Sequence, residues 1–406
     1  MTQVKDGLVK RGATWSYIVR VRDPLTGKMK DQWKGGFKTQ KEARQARNDA
    51  RSASDKGTAV AASKITTGQH LSQWLEASET RVRPTTLASY RQHVDNHIVS
   101  RIGGERLQQL TPMMIDRMYA ELLREGRESK VKVKEGEKKP KGTALSVSTV
   151  RRVGATLHKA LHDAVKKKLI PFNPCDAAEL PKIEKNVDSA DELHVWTREE
   201  LDKFLACVAD DRLFAMWRLA ATTGMRRGEL AGLTRRNVNI DDGTVNVQRA
   251  RVTVSSADVR ESKPKTSHGR RSIPLDNVTT AALAAWCERQ QADRDKWPGE
   301  WPDHDLLFTL EDGSALHPDY LSRRFRTLVK KAGVPMIRLH DVRHTCATLM
   351  LAGGVPVKVV SERLGHSTPA FTMAVYQSIL PGMSRDAAQS IFGATKPARH
   401  LKVVNA

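Results

Sequence analysis

Two stretches of this sequence contain almost nothing that a core could bury, and they divide the chain into segments that must fold separately. The first runs from Arg51 to about Gly68 and is largely Ala, Ser, Thr and Gly; the second is PKIEKNVDSADELHV, Pro181 to Val195. Chain of this composition behaves as linker. One continuous core is therefore excluded, and 406 residues leave ample length for two to four domains.

The pattern of apolar residues changes character across these boundaries. Before the first, WSYIVRVRD alternates apolar and polar, turns at Pro24-Leu25-Thr26-Gly27 and resumes through KMKDQWKGGF, which predicts a β-hairpin. Thr39 is placed to cap a solvated helix after it. Between the two stretches the period is helical: HLSQWLEAS, TLASYRQHVDNHIV behind Pro84, MMIDRMYAELLREG behind Pro112, and STVRRVGATLHKALHDAVKKKLI, stopped by Pro171 and Pro174. A basic loop, RESKVKVKEGEKKPKG, interrupts this region with seven Lys and Arg against three Glu. Beyond the second stretch, Thr197 caps REELDKFLACVA, and LFAMWRLAATTGM continues helical. The short runs NVNI, TVNVQ, RVTV and RSIPL predict a small antiparallel sheet, and Val278 to Phe392 is mainly helical. The expected fold is multidomain and mainly α. A small β-plus-helix module with its linker covers 1–60, a helical domain 66–181, a mixed α+β domain 190–395, and a tail 396–406.

Lys and Arg number 68 against 46 Asp and Glu, a formal charge of +22, which calls for a polyanionic partner, nucleic acid before an anionic membrane surface. Residues 1–50 alone carry twelve Lys and Arg against five Asp and Glu. No window approaches the length of a membrane span, and MTQVKDGLVKRG lacks a signal peptide's apolar core, so a cytoplasmic protein is expected. Cys175, Cys207, Cys287 and Cys346 are widely spaced, without zinc-site spacing, and read as reduced residues.

Four segments of the last 200 residues hold polar groups that packing does not need: TTGMRRGEL (222–230), SKPKTSHGRRSIPL (262–275), LHDVRHT (339–345) and LGHSTPAFTMAVY (364–376). Each alone has an ordinary explanation. His340 and Arg343, one helical turn apart, could both face an anion or simply end a solvated helix, and His268 with Arg271 repeats the same spacing. Glu229, three residues after Arg226, could orient its guanidinium, whose planar fork suits a phosphoryl group; Arg227 reads as a solvent-facing neighbour. Lys265, in a hairpin turning at Ser267-His268-Gly269, is the kind of residue that usually sits on a solvated edge. Tyr376, in an apolar helix, is the kind that usually packs in a core.

Together and in this order the four segments resemble the tyrosine recombinase, or phage integrase, family. The resemblance covers roughly residues 65–395. The preceding helical region looks like that family's core-site DNA-binding domain, and the basic N-terminal module is similar to its arm-site domains. The resemblance implies Arg226 and Arg343 as phosphate-clamping arginines and Lys265, chosen over Lys263 for its Pro-Lys-Thr context, as general acid for the leaving 5′ oxygen. His340 is implied as acceptor of the tyrosine proton, His366 as a further hydrogen-bond donor, and Tyr376 as the nucleophile that forms a 3′-phosphotyrosyl link. His366 and Tyr376 are ten residues apart, one more than is common. No cofactor or metal is implied, because the arginines supply the positive charge.

The implied function is a site-specific DNA recombinase that integrates, and with accessory factors excises, a phage or mobile element. Its expected partners are double-stranded attachment-site DNA, further copies of itself in a homotetramer on DNA, a host DNA-bending protein and an excisionase; the place is the nucleoid of a bacterial host. A chromosome-dimer resolvase, a type IB topoisomerase and a non-enzymatic DNA-binding regulator are the competing readings. In the tail, Ala387, Ala388, Ile391 and Phe392 form an apolar stripe on a helix after Ser384 that needs a partner surface, either its own domain or, as the resemblance implies, a neighbouring protomer.

Overall fold

The computed structural model describes residues 3–4, 7–22, 29–55, 60, 62–126, 144–183, 194–255, 258–262, 269–366 and 368–376. The chain divides into two compact units, residues 1–186 and 187–406.

In the first unit β1 (Gln3–Val4), β2 (Leu8–Arg11), β3 (Thr14–Arg22) and β4 (Met29–Phe37) form an antiparallel sheet in sequence order. The expected pairing of the two alternating runs holds, with Ile18 opposite Trp33 and Arg20 opposite Asp31. Helix α1 (Gln40–Asp55) packs on the sheet through Ala43, which is buried with Leu8 and Tyr17. Its start is closed reciprocally: the Glu42 amide donates to Thr39 Oγ1 at 3.2 Å and the Thr39 amide to Glu42 Oε2 at 3.3 Å. The helix runs to Asp55, where the run TQKEARQARNDARSASD behind Thr39 predicts its end, and so takes the first five residues of the stretch also read as linker.

Helices α2 (Thr67–Ser78), α3 (Pro84–His93), α4 (Val99–Ile102), α5 (Pro112–Glu125) and α6 (Val147–Lys166) form the helical part, with one π turn at Val94–Ile98 joining α3 to α4. They close on Leu71, Trp74, Ile98, Ile115, Leu122, Val150 and Leu157. Trp74 Nε1 donates to Asp163 Oδ2 at 2.8 Å, fastening α2 to α6. The linker reading fails at its far end. Ile65 packs against the helical core, its carbonyl accepts from the Leu107 amide at 3.0 Å, and Thr66 caps α2 with Gln69. Backbone bonds of this kind do not depend on side-chain size, so composition did not reveal them. Helix α6 stops at Lys166, ahead of Pro171, where Lys168 adopts a left-handed φ of 56°. The basic loop of residues 127–142 and the tail stripe around Ile391 and Phe392 lie outside the described residues.

The second unit opens with α7 (Arg198–Cys207), α8 (Phe214–Thr223) and α9 (Arg227–Ala231). Five strands follow: β5 (Val238–Asn239), β6 (Thr244–Val247), β7 (Ala250–Thr253), β8 (Val259–Ser262) and β9 (Arg271–Pro274). Helices α10 (Asn277–Lys296), α11 (Pro318–Ala332), α12 (Asp341–Ala352), α13 (Val357–Leu364) and α14 (Pro369–Tyr376) complete it. Its centre is an aromatic cluster in which Phe204 lies 4.9 Å from Trp196 and 5.3 Å from Phe325, centroid to centroid, distances at which tilted rings attract.

Among the described residues the strands make two antiparallel sheets, β5-β6-β9 and β7-β8. The expected hairpin turning at Ser267-His268-Gly269 runs through residues 263–268, which lie outside those described. Ser262 pairs with Ala250 on β7, whereas Ile273 of β9 pairs with Val245 of β6. Burial explains the sorting: Ile273 and Val245 are fully buried, while β8 carries no buried residue. Lys263, Lys265, Ser267 and His268 lie outside the described residues. No helix among those described is long and apolar enough to cross a membrane.

Helix α8 ends at Gly224, which takes a left-handed φ of 62°, and a Cβ there would stand 2.5 Å from Leu364 Cδ2. Gly354 has a φ of 80° with nothing within 4 Å of its Cβ position, so alanine there meets backbone strain alone. Gly224→Ala should cost more than the ~1–3 kcal/mol of such strain and more than Gly354→Ala. Urea denaturation of both variants measures this, and equal losses would show that the Leu364 contact carries no energy.

Candidate active site

The end of helix α13 gathers the predicted arginines. Its last turn closes on Gly365 at a φ of 69°, with the Gly365 amide donating to Glu362 O and the His366 amide to Ser361 O, each at 3.0 Å. The three carbonyls that follow each receive a different guanidinium. Arg271 Nε donates to Arg363 O at 2.7 Å, Arg343 Nη2 to Leu364 O at 2.7 Å, and Arg226 Nη2 to Gly365 O at 3.4 Å. Cations are favoured here because a helix C-terminus carries unpaired carbonyls and the negative end of the dipole.

Each arginine reaches this point from a different element. Arg226 caps the N-terminus of α9, where Glu229 accepts from its backbone amide and its Nη1, both at 2.9 Å. Its side chain is 42% exposed and so remains open to a ligand. Arg343, in the first turn of α12, is buried and donates Nη1 to Gly224 O at 2.8 Å, which brings the end of α8 into the site. Arg271 opens β9; its Nη1 and Nη2 reach Glu229 Oε1 and Oε2 at 3.2 and 2.9 Å, and both side chains are 6% exposed. Burial opposes ionisation of Glu229, but the bonds and charge of Arg271, with Arg226, outweigh it and hold the carboxyl below its ordinary range.

The histidines meet the same electrostatics. His340 precedes α12 with its ring 5.2 Å from that of His344, edge to face. His366 is buried, with Nδ1 2.8 Å from Thr372 Oγ1 on α14. Surrounding protein and then the charge of Arg343 push the His340 pKa down, although part of the residue is open to solvent. Burial and then His340 bring His344 to about 4, and burial followed by Arg343 and Arg226 brings His366 to about 3. At neutral pH these rings are uncharged, and the arginines carry the positive charge.

Of the six residues singled out in the sequence, Arg226, His340, Arg343 and His366 therefore share one locus. Tyr376 is the last residue of α14, the helix that bears the Thr372 partner of His366. Lys265 lies outside the described residues. Arg227, expected to face solvent, is 37% exposed and also donates to Asp319 Oδ1 at 2.8 Å and Ser322 Oγ at 2.9 Å on α11. Arg271 was missed as a member of the cluster, its only sequence signal being the His268-x-x-Arg271 spacing that also arises by chance. Among the described residues no group of three or more His, Cys, Asp or Glu is placed to hold a metal ion.

The depressed histidines set a sign for acid stability. An unfolded histidine takes up a proton as pH falls through about 6.5, whereas folded His344 and His366 do so only near 4 and 3. Stability from these groups is therefore full above about 6.5 and declines on acidification towards those lower values. The melting temperature should drop between pH 7.5 and 5, and by less in a His344→Gln/His366→Gln variant. A drop of unchanged size in the variant would assign acid sensitivity to other groups.

Residues 195–381, which hold the whole cluster, match the phage integrase family; residues 8–51 match an arm DNA-binding domain, and residues 66–123 a phage integrase N-terminal SAM-like domain. The chain is 26% identical over 370 residues to a XerC-like tyrosine recombinase of Caldanaerobacter subterraneus, covering 87% of this chain and 90% of the relative. It is 27% identical over 318 residues to the integrase of Mycobacterium phage D29, covering 77% and 75%. Among solved structures it is similar to the Tn1549 transposon integrase in complex with a circular intermediate DNA, with a TM-score of 0.63, 18% identity, and 80% of this chain and 99% of the other covered. The arginine cluster thus lies inside a phage integrase family domain of the tyrosine recombinase type, preceded by segments that match that family's N-terminal SAM-like domain and an arm DNA-binding domain.

Proposed function

We propose that this protein is the integrase of a phage or mobile element, breaking and rejoining DNA at attachment sites through a phosphotyrosyl intermediate. The observation that carries the reading is the set of guanidiniums fixed at the end of α13, with Arg226 half open and His366 next in sequence. Rigid, permanently charged donors suit a phosphate whose non-bridging oxygens gain charge in the transition state.

In this mechanism the Tyr376 hydroxyl oxygen attacks the scissile phosphorus, its proton passing to His340, which is neutral and so able to accept it. The bond from phosphorus to the 5′ oxygen breaks, and Lys265 protonates that oxygen. Arg226, Arg343 and His366 hold the non-bridging oxygens meanwhile. The phosphotyrosyl link keeps the phosphodiester's free energy, so the reverse attack by a 5′ hydroxyl from another strand completes exchange without ATP.

The domain reading extends this. Residues 1–60 form an arm-site DNA-binding domain, 66–181 a core-site domain and 190–395 the catalytic domain. Exposed Lys10, Arg11, Arg20, Lys30 and Lys34 on the first sheet support the assignment of a DNA surface there. A homotetramer on DNA, a host DNA-bending protein and an excisionase complete the proposed assembly. A chromosome-dimer resolvase is the second reading, favoured by the XerC-like relative; the arm DNA-binding match at residues 8–51 weighs against it.

Tyr376→Phe should lose covalent adducts on suicide substrates while its affinity for DNA changes by no more than about twofold, because only the nucleophilic oxygen is removed. Adducts that persist in this variant would move the nucleophile elsewhere. Deleting residues 1–60 should preserve core-site cleavage yet impair integration, since a tethered second site adds effective concentration without touching the chemistry. Integration at undiminished efficiency by the truncated protein would refute the arm-site assignment.

A further inference from the structure

We propose that Arg271 is a positioning residue for the recombination reaction, acting on Arg226 through the carboxylate of Glu229. The inference rests on the recombinase reading above and adds a residue to it. Glu229 has two oxygens and both are shared. Oε1 accepts from Arg226 Nη1 and Arg271 Nη1, and Oε2 from the Arg226 amide and Arg271 Nη2. Arg226 therefore meets the carboxylate from its open side and Arg271 from its buried side. A single-bond contact would let the carboxylate pivot, but two parallel bonds from a planar guanidinium fix its plane, and with it the direction in which Arg226 points.

Arg271 is itself held from two further directions. Its Nε donates to Arg363 O at the end of α13, and its Nη1 also reaches Gly269 O at 3.2 Å, three residues beyond Thr266 in the Pro-Lys-Thr segment. Strand β9 holds its backbone, where Arg271 pairs with Val247. One buried guanidinium thus touches the Arg226 turn, the strand leading from the lysine segment, and the helix end that precedes His366. Its charge also bears on His366, but the hydrogen-bonded route from Arg271 to Arg226 runs through Glu229. Loss of that route leaves a buried carboxylate with half its donors, which raises its affinity for a proton and frees Arg226 to turn.

The test is single-turnover cleavage of a suicide attachment-site substrate by the full chain, read as phosphotyrosyl adduct against time and pH, beside direct measurement of DNA affinity and melting temperature. Arg271→Gln should slow cleavage by on the order of tenfold to a hundredfold with DNA affinity within about twofold. It should also move the acid limb of the cleavage profile to higher pH, because Glu229 is then protonated more readily. In a Glu229→Gln background the same change should have almost no further effect on rate and none on the acid limb. Arg271→Lys, which keeps the charge and loses the fork, should fall between wild type and Arg271→Gln, and it carries the comparison if the Gln variant does not fold. Equal slowing with and without Glu229, or wild-type kinetics in both Arg271 variants, overturns the proposal. Failure of the wild-type protein to form any adduct would instead refute the recombinase reading, so the two failures are distinguishable.

Discussion

The catalytic unit depends on how one helix end is satisfied. Helix α13 leaves carbonyls at residues 363, 364 and 365 to which, among the described residues, no amide of its Gly365 cap donates, and buried carbonyls of this kind are costly when unpaired. Three guanidiniums from β9, α12 and the α8–α9 turn satisfy them. The requirement works in both directions. The carbonyls need donors, and the cations need a place where their mutual repulsion is offset by partial negative charge and by Glu229. Elements far apart in sequence are thereby pinned to one point to within hydrogen-bond tolerance.

Stability alone does not account for such an arrangement. A buried ion pair such as Arg271 with Glu229 returns little net free energy after desolvation, and an apolar pair of similar size would often serve as well. What the charged network supplies is direction, since hydrogen bonds fix angles and dispersion does not. The aromatic cluster of Trp196, Phe204, Trp217 and Phe325 contributes the bulk burial, leaving the α13 end free to be polar. Gly224 shows the two demands meeting: its carbonyl accepts from Arg343, and its missing Cβ leaves room for Leu364.

Much of this was legible in the sequence, and the boundary of legibility has a physical cause. Glu229 follows Arg226 by three residues, a spacing that any helix turn brings together, so the pair could be read locally. The Thr39 and Thr197 caps and the period of the helices are equally local. Arg271 lies 42 residues from Glu229, and the contact depends on which strand β9 joins. That choice could not be read locally, because alternation in a short strand does not name its partner. The carbonyls of α13 were invisible for a different reason: every residue has one, and only the chain path shows which of them are turned towards arginines. The linker was overextended at its far end because side-chain composition is silent about backbone bonds such as Leu107 to Ile65.

The division of labour between arginine and histidine follows from the same crowding. Burial, and then the positive charge concentrated at the α13 end, push protons off His366, so the site holds its charge in groups that never titrate and keeps its rings neutral. Among the three arginine bonds to the helix end, that of Arg226 is longest at 3.4 Å, and its side chain is the exposed one. A phosphate oxygen is a stronger acceptor than a neutral carbonyl, so exchanging this bond for an anion costs least. The bonds to Glu229 need not break for that exchange, because they use the Arg226 amide and Nη1 and leave Nη2 to turn outward. Arg271 keeps its carbonyl, the helix end keeps its shape, and Arg226 is placed to meet an anion with its orientation already set.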